Sequence, residues 1–327
     1  MKIRFIGLLA GKIGREVEIE LGRDVTLPEL IEELVKRFPE ARDELSDPHF
    51  YNFSVNGVLI RQDDVPKTRV SDGDTIVFIP AIAGGSGAVK AGKATRVKGV
   101  IKKNFDESAT TYTTFEEKYG FFTSLARDMV EFADFSRGFC LDVGCGTGVL
   151  GDVLPESELV GLDISIGMLK EARNKLNHVL AGDAEHLPFR DESFDAVLFN
   201  ASIFLIPSAD LALKEALRVV KEGGVVAGSY LVGFFHNGRN VLEVVGLKHR
   251  EVFPSRKLDE LIEDMNGEVE QFSYSAQREV ALDFYSVPAM SNALFPGLSY
   301  EERLKLVREK LAELPDEMEF VWKMFRI

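Results

Sequence analysis

Three carboxylates and a run of glycines are the residues of this chain best suited to chemistry. In FCLDVGCGTGVLG at 139–151, Asp142 precedes Gly144, Gly146 and Gly148. Glycine lets the backbone come close to a ligand, and the first turn of a following helix offers free N–H groups to it. Fourteen residues beyond Val149, LVGLDIS places Asp163 where a strand should end. A carboxylate there can accept from both hydroxyls of a ribose. HVLAGDAEHLPF then supplies Asp183, suited to the amine of adenine, and SFDAVLFN ends on Asn200. A glycine loop alone would equally suit a dinucleotide. GCGTG in place of G-x-G-x-x-G, with the D-A-x-x-L-P-F segment at 183–189, argues against that ligand.

These residues need a sheet to hold them. Phe139–Val143 is an apolar run of the kind found in buried parallel strands. LVGLD, HVLA and FDAVLF repeat the pattern. LKEALRVVKEGGVVAGSYLV reads as a helix, a Gly223-Gly224 turn and a fifth strand. KLDELIEDM is then a helix, EVEQFSYSA a sixth strand and MEFVWKMFRI a last one. Between the last two lies an aromatic, proline-containing insertion at about 281–315. It is expected over the carboxyl edge of the sheet, where ligands bind, either as a substrate lid or as a helical packing element.

The series resembles the class I S-adenosylmethionine-dependent methyltransferases, and the resemblance implies a Rossmann-like, doubly wound, seven-stranded α/β domain over 104–327. It implies S-adenosyl-L-methionine as cofactor and a small-molecule methyl acceptor. By resemblance Asp142, Gly144 and Gly146 surround the methionine part, Asp163 and Ile164 hold the ribose and adenine, Asp183 and Ala184 line the adenine, and Asn200 lies near the sulfonium. FDESATTYTTFEEKYGFF at 105–122 resembles the N-terminal cap of the branch acting on quinones and carrier-bound substrates. Tyr112, Phe115 and Tyr119 are expected to cover the cofactor or to pack in the core. Methyl transfer needs alignment more than a fixed base. If a base is used, His236 after the fifth strand is the candidate, because histidine titrates near neutrality; His186 is a weaker one. NASI at 200–203 is not the Asn-Pro-Pro-Tyr type associated with methylation of nucleic-acid bases.

The first 85 residues have a different grammar. REVEIEL alternates, with Val17, Ile19 and Leu21 opposite three glutamates, and MKIRFIGLLA is expected to be its hairpin partner. Thr26 precedes LPELIEELVKRF, whose Leu30, Ile31, Leu34, Val35 and Phe38 form a helical stripe. Asn56-Gly57 is a hairpin turn, and TIVFIP is a final strand before AGG at 83–85. This order resembles the ubiquitin-like β-grasp sulfur carriers, MoaD of molybdopterin synthase and ThiS of thiazole synthesis. In those proteins the terminal glycine carboxylate is adenylated and converted to a thiocarboxylate. Here Ser86 follows Gly85, so that chemistry requires a cut after Gly85. Three uses stay open: a carrier released by a protease and served by an adenylating (E1-like) enzyme, a retained module docking a partner such as a pterin synthase large subunit, or a plain hinge. The resemblance connects the chain to molybdopterin, tungstopterin or thiamine-type sulfur transfer. In the rival reading it is a carrier or docking protein whose second domain senses the cofactor.

Charge and composition bound these readings. The 327 residues carry a net charge of −14. Residues 1–85 contribute −4 and 104–327 contribute −16, while SGAVKAGKATRVKGVIKK at 86–103 carries +6 and is expected to be a flexible linker lying against acidic neighbours. An acidic chain is a poor nucleic-acid binder. No apolar run approaches the ~20 residues of a membrane span, and a cytoplasmic location is expected. Two cysteines, Cys140 and Cys145, are too few for a disulfide framework or a zinc site and should pack as small apolar groups.

Overall fold

The computed structural model describes residues 1–5, 8–45, 51–60, 62–80 and 93–327. Gly85 lies outside the described residues.

The N-terminal strands are β1 (Lys2–Phe5), β2 (Glu16–Glu18), β3 (Val25–Thr26), β4 (Tyr51–Val55), β5 (Val58–Ile60), β6 (Arg69–Val70) and β7 (Thr75–Pro80). Five make a sheet of order β2-β1-β7-β4-β5, in which β1 and β7 run parallel, while β3 and β6 pair separately. The helix Leu27–Arg37 covers the sheet. It starts on a capping box in which Thr26 accepts from the Glu29 N–H and Glu29 accepts from the Thr26 N–H, with Pro28 in the first turn. Its Leu27, Leu30 and Leu34 meet Ile3, Phe5, Phe53, Ile76 and Phe78 in one buried cluster. Asn56 and Gly57 both take positive φ, as a two-residue hairpin turn requires. The first hairpin differs from expectation: β1 stops at Phe5 and Leu8–Ile13 is a short helix. Leu9 and Ile13, one helical turn apart, pack on the same cluster.

The second sheet contains β8 (Phe139–Val143), β9 (Glu158–Asp163), β10 (His178–Ala181), β11 (Phe194–Phe199), β12 (Val220–His236), β13 (Arg239–Asn240), β14 (Glu268–Gln277) and β15 (Glu317–Arg326). Its main path is β10-β9-β8-β11-β12-β15-β14, and β13 pairs back on β12. The first five strands of this path are parallel; β15 and β14 are antiparallel additions. Between β8 and β11 the winding reverses, which opens a crevice at the carboxyl ends of those strands. The central strands are buried throughout: Leu141, Val160, Val197 and Val226 are each inaccessible to solvent. Cys140 and Cys145 belong to this core, and burial pushes the Cys140 thiol up to about 12.

Two helical layers close the crevice. A helix of 27 residues, Lys93–Tyr119, leads into Phe121–Phe132. It begins inside the stretch expected to be linker. Ile101, Phe105 and Tyr112 recur at helical spacing and turn inward onto the crevice, which gives the segment an apolar face to bury. The insertion near 281–315 folds as three helices, Arg278–Ser286, Pro288–Leu294 and Tyr300–Leu311. Among the described residues, no helix is long and apolar enough to cross a membrane.

Candidate functional site

The crevice holds a chamber lined by the carboxyl ends of β8, β9, β10 and β11, by the long helix and by the insertion. The strand ends carry the candidate residues into this chamber. After β8, Gly144, Gly146 and Gly148 all take positive φ. A Cβ on Gly144 would lie 2.6 Å from that of Ser202, so only glycine lets the loop pass against the turn that follows β11. A Cβ on Gly146 would meet nothing within 4 Å, because this part of the loop faces open space.

Asp163, at the end of β9, is fixed by the loop it serves. One carboxylate oxygen accepts from the Gly146 N–H at 2.9 Å and the other from the Ser165 N–H at 2.8 Å. Ser165 caps the next helix through its own side chain. Each carboxylate oxygen has a second lone pair for a ligand. Burial raises the Asp163 carboxyl above its ordinary value, against the pull of these hydrogen bonds. Asp142 is 1% exposed and one of its oxygens, Oδ1, has no hydrogen-bond partner. Burial, with the Asp163 charge adding, holds its carboxyl well above the usual range. A cationic group beside Asp142 would relieve both features.

Asp183 and Ala184 line the chamber beyond β10, and Ile164 beyond β9. The Lys98 ammonium of the long helix lies 2.7 Å from Asp183 and 2.5 Å from Glu185. Asp183, Glu185 and His186 bring ligand atoms within 4.8 Å of one another, with Lys98 already on the two carboxylates. Asp106 clamps the same helix to the loop after β9, accepting from the Ser165 hydroxyl and the Gly167 N–H. Asn200 lines the far side. Its Nδ2 donates to the Phe122 carbonyl, and the Ser229 hydroxyl donates to its Oδ1. The sequence thus brought Asp142, Gly144, Gly146, Asp163, Ile164, Asp183, Ala184 and Asn200 to one chamber. His236 is elsewhere: exposed at the end of β12, it bonds the Glu317 carbonyl at 2.8 Å and does not line the chamber. Tyr112 is in the wall, stacked on Phe122 with ring centroids 4.6 Å apart. Phe115 and Tyr119 pack in the core beside it.

A model of the ThiS family matches residues 3–85, and a methyltransferase domain model matches 141–228. The chain joins a ThiS-family domain to a methyltransferase domain. A protein of Methanocaldococcus jannaschii, MJ1252, is 36% identical over 132 residues, 40% of this chain and 51% of its own length. A demethylmenaquinone methyltransferase of Lactobacillus johnsonii is 39% identical over 101 residues, 27% of this chain and 41% of its own. A malonyl-[acyl-carrier protein] O-methyltransferase of Dechloromonas aromatica is 34% identical over 146 residues, 43% of this chain and 54% of its own. The chain spans about half the length of these relatives.

The methyltransferase domain match contains the glycine loop, Asp163, Asp183 and Asn200. Part of the wall comes from outside it. Lys98, Ile101 and Phe105 arrive from the long helix, Phe284, Val287 and Met290 from the insertion, and Trp322 from β15. No distinct sequence signal marks Lys98, which sits among lysines spaced like a solvated stretch, or Trp322, which sits in an alternating strand like any core aromatic.

Proposed function

We propose that residues 93–327 transfer the methyl group of S-adenosylmethionine to a small-molecule acceptor. The observation that supports this best is the orphaned, buried Oδ1 of Asp142 beside an open glycine loop. A carboxyl so placed fits the ammonium of the cofactor's methionine part. Asp163 would hold the ribose, Asp183 and Ala184 the adenine, and Asn200 the sulfonium side. When bound, the cofactor supplies an electrophilic methyl group on a positive sulfur. The chain's own work is then alignment and exclusion of water. The aromatic wall, with Phe284, Val287 and Met290 of the insertion, encloses the acceptor side as a lid. Two relatives are named for methylation of a menaquinone precursor and of a carrier-bound malonyl group, which supports an organic acceptor here.

The ThiS-family domain supports a link to sulfur transfer, with an adenylating enzyme or a pterin synthase subunit as partner. Titration calorimetry of the full chain with S-adenosylmethionine tests the central reading. Binding should be seen, and Asp163→Ala should weaken it by about 1–3 kcal/mol through loss of charge-assisted hydrogen bonds. An Asp163→Ala protein that binds like the wild type would contradict the assignment.

A further inference from the structure

The chamber's charged side chains divide cleanly by partner. Lys98 is spent on Asp183 and Glu185, and Asp163 on the loop backbone. Among the described lining residues only two buried polar side-chain atoms lack a hydrogen-bond partner, Asp142 Oδ1 and the Trp322 indole Nε1. They differ in kind and in place. Asp142 is the next-to-last residue of β8, just ahead of the glycine loop. Trp322 is 1% exposed on β15 and pairs in register with Leu231, two residues beyond the Ser229 that donates to Asn200.

Around Trp322 the walls are apolar. Phe204 and Phe122 set their rings edge-on to the indole at 5.9 and 6.3 Å. Phe284, Val287, Met290 and Leu205 add further apolar lining to the chamber. No Arg, Lys or His lines it; Lys98 is the one basic residue of the chamber's described lining, and it is engaged at the β10 end. A carboxylate or phosphate would be buried there without a counter-charge, which is strongly unfavourable. An indole N–H donates only, so its partner must bring an acceptor atom. Flat aromatic walls favour a planar guest.

We infer that the methyl acceptor is an uncharged, planar, largely apolar molecule bearing a hydroxyl or carbonyl oxygen that accepts a hydrogen bond from Trp322 Nε1. Trp322 is thereby the residue that sets acceptor specificity. The inference rests on the cofactor reading above, and its test keeps the two apart.

Trp322 is the single tryptophan of the chain, so its fluorescence reports on this wall alone. The full-length protein is first saturated with S-adenosylhomocysteine, and that binding is measured by calorimetry. Three matched probes are then titrated: 4-butylphenol, butylbenzene and 4-butylbenzoate. The phenol should perturb the indole emission and bind about tenfold more tightly than butylbenzene, the value of one well-made hydrogen bond; the benzoate should not bind. In Trp322→Phe, followed by calorimetry, the phenol's advantage over butylbenzene should vanish while S-adenosylhomocysteine still binds. The wild-type comparison decides the matter even if that variant fails to fold. Equal affinity for phenol and butylbenzene, tighter binding of the benzoate, no binding by any probe, or an advantage that survives in Trp322→Phe each overturns the inference. Failure of S-adenosylhomocysteine to bind overturns the cofactor reading instead.

Discussion

Lys98 offers the sharpest test of how the long helix is held. Its ammonium sits between Asp183 and Glu185, and the relative exposures of the Lys98 and Glu185 side chains are 17% and 4%. Removing one partner of a fully buried pair costs about 3–5 kcal/mol, because the other charge is left without compensation. A solvent-exposed pair is worth about 0.2–1 kcal/mol. Lys98 is partly solvated and Glu185 is not, which places Lys98→Met between the limits, at about 2–3 kcal/mol. For a domain above 200 residues this is a fall of roughly 5–10 °C in melting temperature. Trp322 fluorescence follows the methyltransferase sheet without interference from the N-terminal domain. Glu185 also accepts from the Ser208 N–H, so Glu185→Gln keeps that bond while removing the stranded charge. Lys98→Met with Glu185→Gln should therefore be more stable than Lys98→Met alone. The reasoning is refuted if Lys98→Met melts within about 0.5 kcal/mol of the wild type, or if the second substitution makes matters worse.

Other perturbations follow from the same geometry. Because the Asp142 carboxyl is raised in the folded chain, the folded state holds its proton longer than the unfolded one. The stability this lends is complete below the ordinary value of 3.8 and is lost as pH rises through the folded value. Asp142→Asn should flatten that slope in pH-dependent unfolding, and weaken S-adenosylmethionine binding by about 1–3 kcal/mol. His249 behaves oppositely: burial lowers it from 6.5 to about 4. Its contribution is present above 6.5 and disappears as pH falls through the lower value, and His249→Phe should remove this acid-side loss in urea titrations. His236→Ala should leave methyl transfer at the wild-type rate, since its ring lies outside the chamber. A loss of about a hundredfold, the size of general acid–base effects, would make it the base after all.

Much of the site could be read from the sequence because its parts obey backbone rules. Positive φ favours glycine at 144, 146 and 148, and once five parallel strands are recognised, Asp163 at the end of β9, Asp183 beyond β10 and Asn200 after β11 fall at the same edge of the sheet. The short helix at Leu8–Ile13 was hidden because a six-residue apolar pattern fits a strand as well as one helical turn. Lys98 was hidden for a different reason. Its partners stand 85 and 87 residues away, and no local pattern marks a lysine that will meet them. Trp322 is a buried aromatic among Phe320, Met324 and Phe325; only the three-dimensional lining separates a wall residue from a core one.

The early start of the long helix at Lys93 also moves the seam between the two modules. An expressed fragment starting at residue 104 would keep the loop glycines 144, 146 and 148 and the strand-end carboxylates, yet lose Lys98 and Ile101 from the chamber. Its chamber would be a room with one wall missing. Residues 93–103 thus belong with the methyltransferase domain, and a cut between the two modules that spares the chamber lies ahead of Lys93.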